Sequence, residues 1–260
     1  MNAAIFPRLE RHPIVGEPPF PPVLHEGGTQ FLAVSGTLTD RFLVTYRGEA
    51  SRLRELVPAP FVLDEHRAYG FLSVCAVEIA GMGVEGTPSF LRFDNREFLY
   101  RLGVRFRGEA TFLTLRSDVS SRALALLGRH FSHYRPNLGQ VSLLRDGPRL
   151  RMEGTTPDGV GDAVLEVDRD APSLNDSVFE DDAHAAEFLL GMAFSADVVR
   201  GRVRVQPIDH APWEPRFVRT RLARFAFVDA LERRLGTRLE LDGTLAVRDV
   251  PHVWRAARWS

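Results

Sequence analysis

The segment REFLYRLGVRFRG, residues 96–108, alternates apolar and polar side chains almost strictly, and this pattern restricts the possible fold more than any other stretch of the chain. Successive side chains of a β-strand point to opposite faces, so an alternation of period two predicts a strand with one apolar face. The run ATFLTLRSD follows a turn at Gly108 and predicts the second strand of a hairpin. The apolar face of the first strand carries Phe98, Tyr100, Leu102, Val104 and Phe106, and the other face carries Glu97, Leu99, Arg101, Arg105 and Arg107.

Most of the chain after residue 30 is also strand-like, with scattered helical patterns between the strands. The patterns SRLRELV, DDAHAAEFLLGM and RLARFAFVDALERRLG predict helices, and another is predicted from about Val119 to His130 with Asp118 or Ser120 as N-cap. Because the helices do not alternate with the strands, we expect an α+β fold with a largely antiparallel, barrel-like sheet and three or four peripheral helices. The other strand candidates are QFLAVSG, RFLVTYRG, YGFLSVCAVEIAG, QVSLLRDGPRLRMEG, DAVLEVD, DVVRGRVRVQPI and TLAVRDVPHVW.

Composition and charge narrow the class of protein. Residues 1–30 contain six prolines and predict an extended arm, whereas residues 31–260 predict a single domain. The chain is 44 % hydrophobic and 26 % charged, which is typical of a soluble globular protein. No apolar run reaches the roughly 18–20 residues that cross a bilayer, and no secretion signal is recognisable, so we expect a cytoplasmic protein without a membrane partner. The net charge of −1 argues against a nucleic-acid partner.

The chain contains no lysine, because all 33 positions counted as lysine or arginine are arginine. Because arginine does not form imines with carbonyl substrates, every mechanism based on a lysine Schiff base is excluded. The planar guanidinium of arginine is instead well suited to binding carboxylates through two parallel hydrogen bonds. The single cysteine, Cys75, lies in the apolar run FLSVCAVEIA and is predicted to be a small buried hydrophobic side chain rather than a nucleophile.

Neither a cofactor nor a metal ion is expected. The segment GMGVEG, residues 81–86, matches the dinucleotide fingerprint, but TPSFLRF follows it where a helix N-terminus would have to face the pyrophosphate. His130 and His133 are spaced so that they could share a metal, with Glu97 or His210 as a third ligand. The favoured interpretation is that these histidines form hydrogen bonds in a pocket or in the core.

Three further features are candidates for a site. The segment GRHFSHYRPN, residues 128–137, gathers ionisable side chains at a predicted helix-to-strand junction, which is either a ligand clamp or a solvated connection. Glu97 and Arg101 share one strand face, which either lines a cavity or faces solvent. Trp213, in IDHAPWEPRF, is either a packing anchor or a ligand contact.

The order of these motifs resembles a known family. The stretches LRELVPAPFVLDEHRAYGFLSVCAVEIAGMG, FDNREFLYRLGVRF and SSRALALLGRHFSHYRP resemble an uncharacterised bacterial family with acetoacetate-decarboxylase-like architecture, from about Arg41 to Met152 and more loosely to Trp254. The resemblance implies a mostly antiparallel β barrel or cone with peripheral helices and an internal ligand cavity. It also implies that Glu97 corresponds to a strand glutamate of the decarboxylases, and that the junction FSHYRP stands where those enzymes carry two lysines, one of which forms the imine. Here that junction supplies His133, Tyr134 and Arg135 instead.

Two functions follow for such a pocket. The first is an enzyme that acts on a keto acid or a related carbonyl compound without an imine. Glu97 or His133 would be the general base, Tyr134 the acid or oxyanion donor, and Arg101 the anchor of a carboxylate.

The second function is a non-catalytic sensor or carrier of a small anionic or carbonyl metabolite. In both cases the expected partner is a small-molecule ligand, and a homo-oligomer is compatible with the sequence. The candidate ligand-binding residues are Arg101, His130, Arg135 and Trp213.

Overall fold

The structure of the protein, a computed structural model, describes residues 32–131, 136–172, 177–192, 194–199 and 201–260. Fifteen strands and four α-helices lie in these ranges, with short 3-10 turns at Arg54–Leu56 and Ser89–Leu91. The helices are α1 (Ala50–Leu53), α2 (Arg122–Phe131), α3 (Asp182–Leu190) and α4 (Ala226–Leu235). The strands are β1 (Val34–Glu49), β2 (Val62–Leu63), β3 (Glu65–His66), β4 (Tyr69–Val84), β5 (Phe93–Phe106), β6 (Glu109–Val119), β7 (Asn137–Leu138), β8 (Gln140–Asp146), β9 (Arg149–Thr155), β10 (Ala163–Pro172), β11 (Phe194–Val199), β12 (Arg202–His210), β13 (Arg216–Phe225), β14 (Glu240–Trp254) and β15 (Arg258–Trp259).

One large, open sheet dominates the fold. Its main path runs β7-β6-β5-β4-β1-β14-β13-β10-β9-β8, and the hairpin of β11 and β12 joins it where β12 pairs with β14. Every described pair of strands is antiparallel except β6 with β7. The expected α+β class with a mostly antiparallel sheet and peripheral helices is therefore confirmed, as a sheet that curls without closing.

The alternation in β5 is also confirmed. Its even-numbered apolar side chains, from Phe98 to Val104, are fully buried in the main core. The β5–β6 hairpin turns at Arg107 and Gly108, which both have positive φ, at 52° and 86°. The far end of the sheet folds over this face, since a Cβ at Gly154 of β9 would lie 3.0 Å from the ring of Phe98. The main core is thus enclosed between two parts of one curled sheet.

Three boundaries differ from those predicted. The candidates QFLAVSG and RFLVTYRG form one continuous strand, β1, and the segment RLARF belongs to β13 while α4 begins only at Ala226. Helix α2 begins at Arg122 rather than near Val119, because Val119 pairs with Glu97 and continues strand β6. Neither predicted N-cap is used, since the hydroxyl of Ser121 accepts the hydrogen bond from the amide of Leu124.

The second face of the central strands carries a separate apolar cluster. It is covered by α3, whose Ala185, Leu189 and Leu190 are buried against Val77 of β4 and Val247 of β14. Segment 81–86 begins within the last residues of β4, which ends at Val84, and leads into a 3-10 turn rather than an α-helix. No helix within the described ranges is long and apolar enough to span a membrane.

Gly236 provides a test of how α4 ends. It adopts φ 62°, and its amide donates to the carbonyl of Glu232, while a Cβ at this position would meet no atom within 4 Å. Replacing Gly236 by alanine therefore adds backbone strain without a steric clash, and we expect a loss of about 1 kcal/mol in the free energy of unfolding. Asparagine tolerates this conformation better, so Gly236→Asn should cost less than Gly236→Ala in urea titrations. Equal losses for both variants would contradict this explanation.

Candidate functional site

The register of the central strands gathers polar side chains on the face that α3 covers. Arg41 of β1 pairs with Val77 of β4, and Val77 pairs with Glu97 of β5. Two residues further along, Leu43, Cys75 and Leu99 form the next row, and the row after that contains Thr45, Ser73 and Arg101. The three rows lie on one face because side chains two positions apart in a strand point the same way. Two arginines and a glutamate are therefore brought close together from two strands.

Six of these side chains line a cavity of about 70 Å³ beneath α3 and β12, namely Arg41, Cys75, Val77, Glu97, Leu99 and Arg101. Its apolar wall includes Ile79 and Leu190, and its polar wall is formed by side chains far apart in sequence. We call it the arginine cavity; the lining residues that matter for its chemistry are Arg41, Cys75, Glu97, Arg101, Trp213 and His252.

Arg41 is the most unusual member of this set. Its side chain is buried, with 6 % of the residue exposed, and its guanidinium carbon lies 4.9 Å from the centre of the Trp213 ring. Within the described ranges its Nε has no hydrogen-bond partner, and no carboxylate forms an ion pair with it. A buried guanidinium without a counter-charge is unfavourable, and stacking on an aromatic ring offsets only a small part of that cost.

Glu97 and Arg101 are also buried, with 3 % and 4 % of each residue exposed. One carboxylate oxygen of Glu97 accepts a hydrogen bond of 2.8 Å from the hydroxyl of Ser117, and the other accepts one of 3.4 Å from the amide of Asn95. The guanidinium of Arg101 lies over the ring of Phe112, with 4.5 Å between the guanidinium carbon and the ring centre. This face of β5 is therefore not solvated, and the carboxylate of Glu97 is held in one orientation.

A row of aromatic rings also lines the cavity. His210 and Trp213 stack with their ring centres 3.9 Å apart, and His210 stacks on His252, its partner across strands β12 and β14. Nδ1 of His210 lies 2.9 Å from the carbonyl oxygen of Ala211, so this nitrogen carries the proton in that contact.

His252 is the second unusual polar group of the cavity. Burial, followed by the positive charge of Arg41, lowers its pKa to about 3. The ring is therefore neutral near pH 7. Among the residues that the structure describes, none forms a hydrogen bond with its Nδ1.

Three of the residues singled out in the sequence, Glu97, Arg101 and Trp213, lie together on this cavity. His133, Tyr134 and Arg135 fall outside the described residues, and for His130 the structure describes only the backbone, in α2. The roles assigned to all seven residues remain predictions. Residues 1–30, predicted to form an arm, also lie outside the described ranges.

Sequence reasoning missed Arg41 and His252 and placed Cys75 only in an apolar core. The signal for Arg41 was available, since it interrupts the apolar strand TDRFLVTY on the same parity as Leu43. His252 gave no such signal, because its neighbours across β12 depend on long-range strand pairing. Cys75 is buried as predicted, with 4 % of the residue exposed. No group of three potential metal ligands occurs in the part of the chain that the structure covers.

Comparison with solved structures identifies the fold. The structure is similar to acetoacetate decarboxylase from Legionella pneumophila, with a TM-score of 0.63 and 13 % identity over 99 % of this chain and 92 % of that chain. An acetoacetate decarboxylase-like enzyme from Sphingomonas wittichii gives 0.62 and 13 % over 89 % and 93 % of the two chains. The enduracididine biosynthesis enzyme MppR gives 0.58 and 16 % over 87 % and 89 %. At these identities the similarity establishes an acetoacetate-decarboxylase-like fold.

Sequence comparison gives the family. No curated protein sequence matches the chain significantly. A family model for uncharacterized conserved proteins, DUF2071, matches residues 36–242 and so covers most of the chain, including the strands that carry Arg41, Cys75, Glu97 and Arg101. The resemblance inferred from the sequence motifs is thereby confirmed, and the protein belongs to the DUF2071 family of uncharacterized conserved proteins.

Proposed function

We propose that this protein binds a small organic carboxylate in the arginine cavity. The observation that carries the proposal is Arg41, which is buried on the cavity wall with Nε unsatisfied by any described residue. A carboxylate accepts two parallel hydrogen bonds from a guanidinium, and in a buried site it also supplies the missing counter-charge. Arg101 lines the same cavity and offers a second guanidinium.

The charges on the cavity wall favour an anion. Arg41 and Arg101 contribute two positive charges, Glu97 contributes one negative charge, and His252 is neutral near pH 7. A ligand with a single negative charge would balance these lining groups. It would also give Nδ1 of His252 a hydrogen-bond partner if the ligand carries a hydroxyl group.

The size of the cavity limits the ligand to a few heavy atoms. A volume of about 70 Å³ holds several water molecules or one short-chain acid. Leu38, Val77 and Leu99 line it as well and would contact the carbon chain. The similarly folded MppR has been solved in complex with pyruvate, which supports a small oxo acid as the ligand class.

A second candidate is proton transfer to or from the bound acid. Glu97 favours it, because Ser117 and Asn95 fix its carboxylate in the wall of the same cavity. A carboxylate so placed can remove a proton from the carbon next to a carbonyl group. No imine is involved, since the chain has no lysine.

Exchange of the pyruvate methyl protons in D2O, followed by NMR, tests this step. Glu97→Gln should abolish any exchange above the rate in buffer alone.

Ligand binding is tested by thermal melts of the full chain with pyruvate and with its amide. We expect pyruvate at about one hundred times its Kd to raise the Tm by roughly 5–10 °C and the amide to have little effect. Arg41→Gln should weaken pyruvate binding at least about tenfold, because a charge-assisted pair of hydrogen bonds is lost. The matched control is Arg216→Gln, since the Arg216 side chain is 78 % exposed. Equal effects of acid and amide on the wild type would contradict the proposal.

A further inference from the structure

We propose that Cys75 is a nucleophile of the arginine cavity that attacks small electrophiles carrying a carboxylate, including the carbonyl carbon of a 2-oxo acid. The inference rests on the proposed carboxylate site and adds a covalent role to it. It extends the expectation that Cys75 only fills an apolar core, because Cys75 belongs to the apolar cluster beneath α3 and also lines the arginine cavity together with Arg41 and Glu97.

The sheet register places Cys75 in the middle of the charged side chains. It pairs with Leu43 on β1 and with Leu99 on β5, so Arg41, Glu97 and Arg101 are its diagonal neighbours on the same face. Diagonal neighbours in antiparallel strands have Cβ atoms roughly 7–8 Å apart or somewhat less, which long side chains bridge easily. Cys75 itself lines the arginine cavity.

Two further observations point to a ligand beside this thiol, independently of the cysteine. Arg41 and His252 line the same cavity and are only 6 % and 5 % exposed. Each has a nitrogen, Nε and Nδ1 respectively, that no described residue satisfies. Buried polar atoms are normally hydrogen-bonded, so both atoms mark a place for a polar ligand group. A carboxylate held by Arg41 would bring the rest of a short ligand to the neighbouring row, where Cys75 lies.

Neither addition of the thiol to a 2-oxo acid nor its alkylation by a haloacetate requires a further reactant. With a 2-oxo acid, the sulfur forms a bond to the carbonyl carbon, the C=O π bond breaks, and the thiol proton ends on the carbonyl oxygen to give a hemithioketal. With a haloacetate, the S–C bond forms, the carbon–halogen bond breaks, and halide leaves while the thiol proton goes to water or to Glu97. A thiol in this position would take the place of an amine as the group that reacts with a carbonyl carbon.

Alkylation by a charged and a neutral reagent of similar size tests the inference. Cys75 is the single cysteine of the chain, so the mass of the intact protein reports its labelling directly. We expect iodoacetate to label native protein faster than iodoacetamide, because the cavity binds the carboxylate of iodoacetate. The ratio of the iodoacetate rate to the iodoacetamide rate should be at least about tenfold higher in native protein than in urea-unfolded protein. Pyruvate should slow the labelling. Arg41→Gln should return the ratio towards the unfolded value, whereas Arg216→Gln should not change it.

The possible results separate this inference from the proposed function. If native Cys75 is not alkylated, or if the rate ratio equals that of the unfolded chain, while pyruvate still raises the Tm, the role of Cys75 is wrong and the carboxylate site stands. If pyruvate has no effect on the Tm of the wild type, the proposed function itself is wrong. As a separate readout, 13C NMR of [2-13C]pyruvate should show a bound tetrahedral carbon with wild type and not with Cys75→Ser.

Discussion

Replacing Arg116 by methionine is expected to lower the free energy of unfolding by about 3–5 kcal/mol. The side chain of Arg116 is only 5 % exposed, and its Nε donates to the carboxylate of Asp118 at 2.8 Å. Its two terminal nitrogens bind both carboxylate oxygens of Asp158, at 2.9 and 3.1 Å. Without Arg116, Asp118 would be a buried carboxylate whose remaining side-chain contact within the described ranges is a hydrogen bond of 3.3 Å from Asn137.

Most of the lost stability should come from leaving the buried carboxylate of Asp118 without its ion-pair partner. Burial raises the pKa of this carboxyl, and Arg116 acts in the opposite direction. The double variant Arg116→Met/Asp118→Asn removes the charge as well, so we expect it to recover more than half of the loss in urea titrations at pH 7. Arg54→Met serves as the matched control, because Arg54 pairs with Glu65 at the surface with 56 % of its side chain exposed, and should cost less than about 1 kcal/mol. A double variant as unstable as the single one would show that packing, not charge, is responsible.

Acidification from pH 6.5 towards pH 3 is expected to destabilise the protein through His252 by up to roughly 4–5 kcal/mol. The pKa of His252 is lowered to about 3 in the folded protein, chiefly by burial and then by Arg41, whereas the pKa of an unfolded histidine is about 6.5. In this window the unfolded chain binds a proton that the folded chain does not bind. The free energy of unfolding therefore decreases as the pH falls, by as much as about 1.4 kcal/mol per pH unit.

Comparison with His252→Gln isolates this contribution, because the other titrating groups are common to both proteins. Urea unfolding at pH 7, 6, 5 and 4.5 should show the wild type losing stability more steeply than the variant. Arg41→Gln should raise the folded-state pKa of His252 only in part, since burial is the larger cause of the shift, so the loss of stability should level off at a higher pH than in the wild type. Identical slopes for wild type and His252→Gln would mean that folding does not lower the pKa of His252.

Arg116 and His252 lie in different parts of the molecule. Arg116 joins strand β6 to Asp158, in the connection between β9 and β10, and its ion pairs are satisfied by described residues. Arg41 and His252 belong to the arginine cavity, where polar atoms lack partners among the described residues. A variant of Arg116 should therefore lose stability and keep any affinity for carboxylates in its folded fraction. Arg41→Gln should lose affinity and melt no lower than wild type without ligand, because it removes a buried charge that lacks a described partner.

Much of the fold could be predicted from local patterns. The alternation in residues 96–108 determined which side chains of β5 face the main core, since the period of two is a property of the strand itself. The turn at Gly108 and the end of α4 at Gly236 could also be predicted from the sequence, because both positions require a positive φ that glycine adopts without strain. The absence of lysine excluded imine chemistry at any position.

The site itself was decided by tertiary structure. The sequence placed Glu97 and Arg101 on one face of a strand, but whether that face was solvated depended on α3 and β12, which come from distant parts of the chain. Arg41, Cys75 and His252 meet because β1, β4 and β14 pair in a specific register, and a shift of one residue would have turned each side chain to the other face. Local sequence determines the period of a strand. The register between strands, and the helix and strand that cover the sheet face, depend instead on long-range packing. This packing places Arg41 beside Trp213 and His252 in a buried cavity.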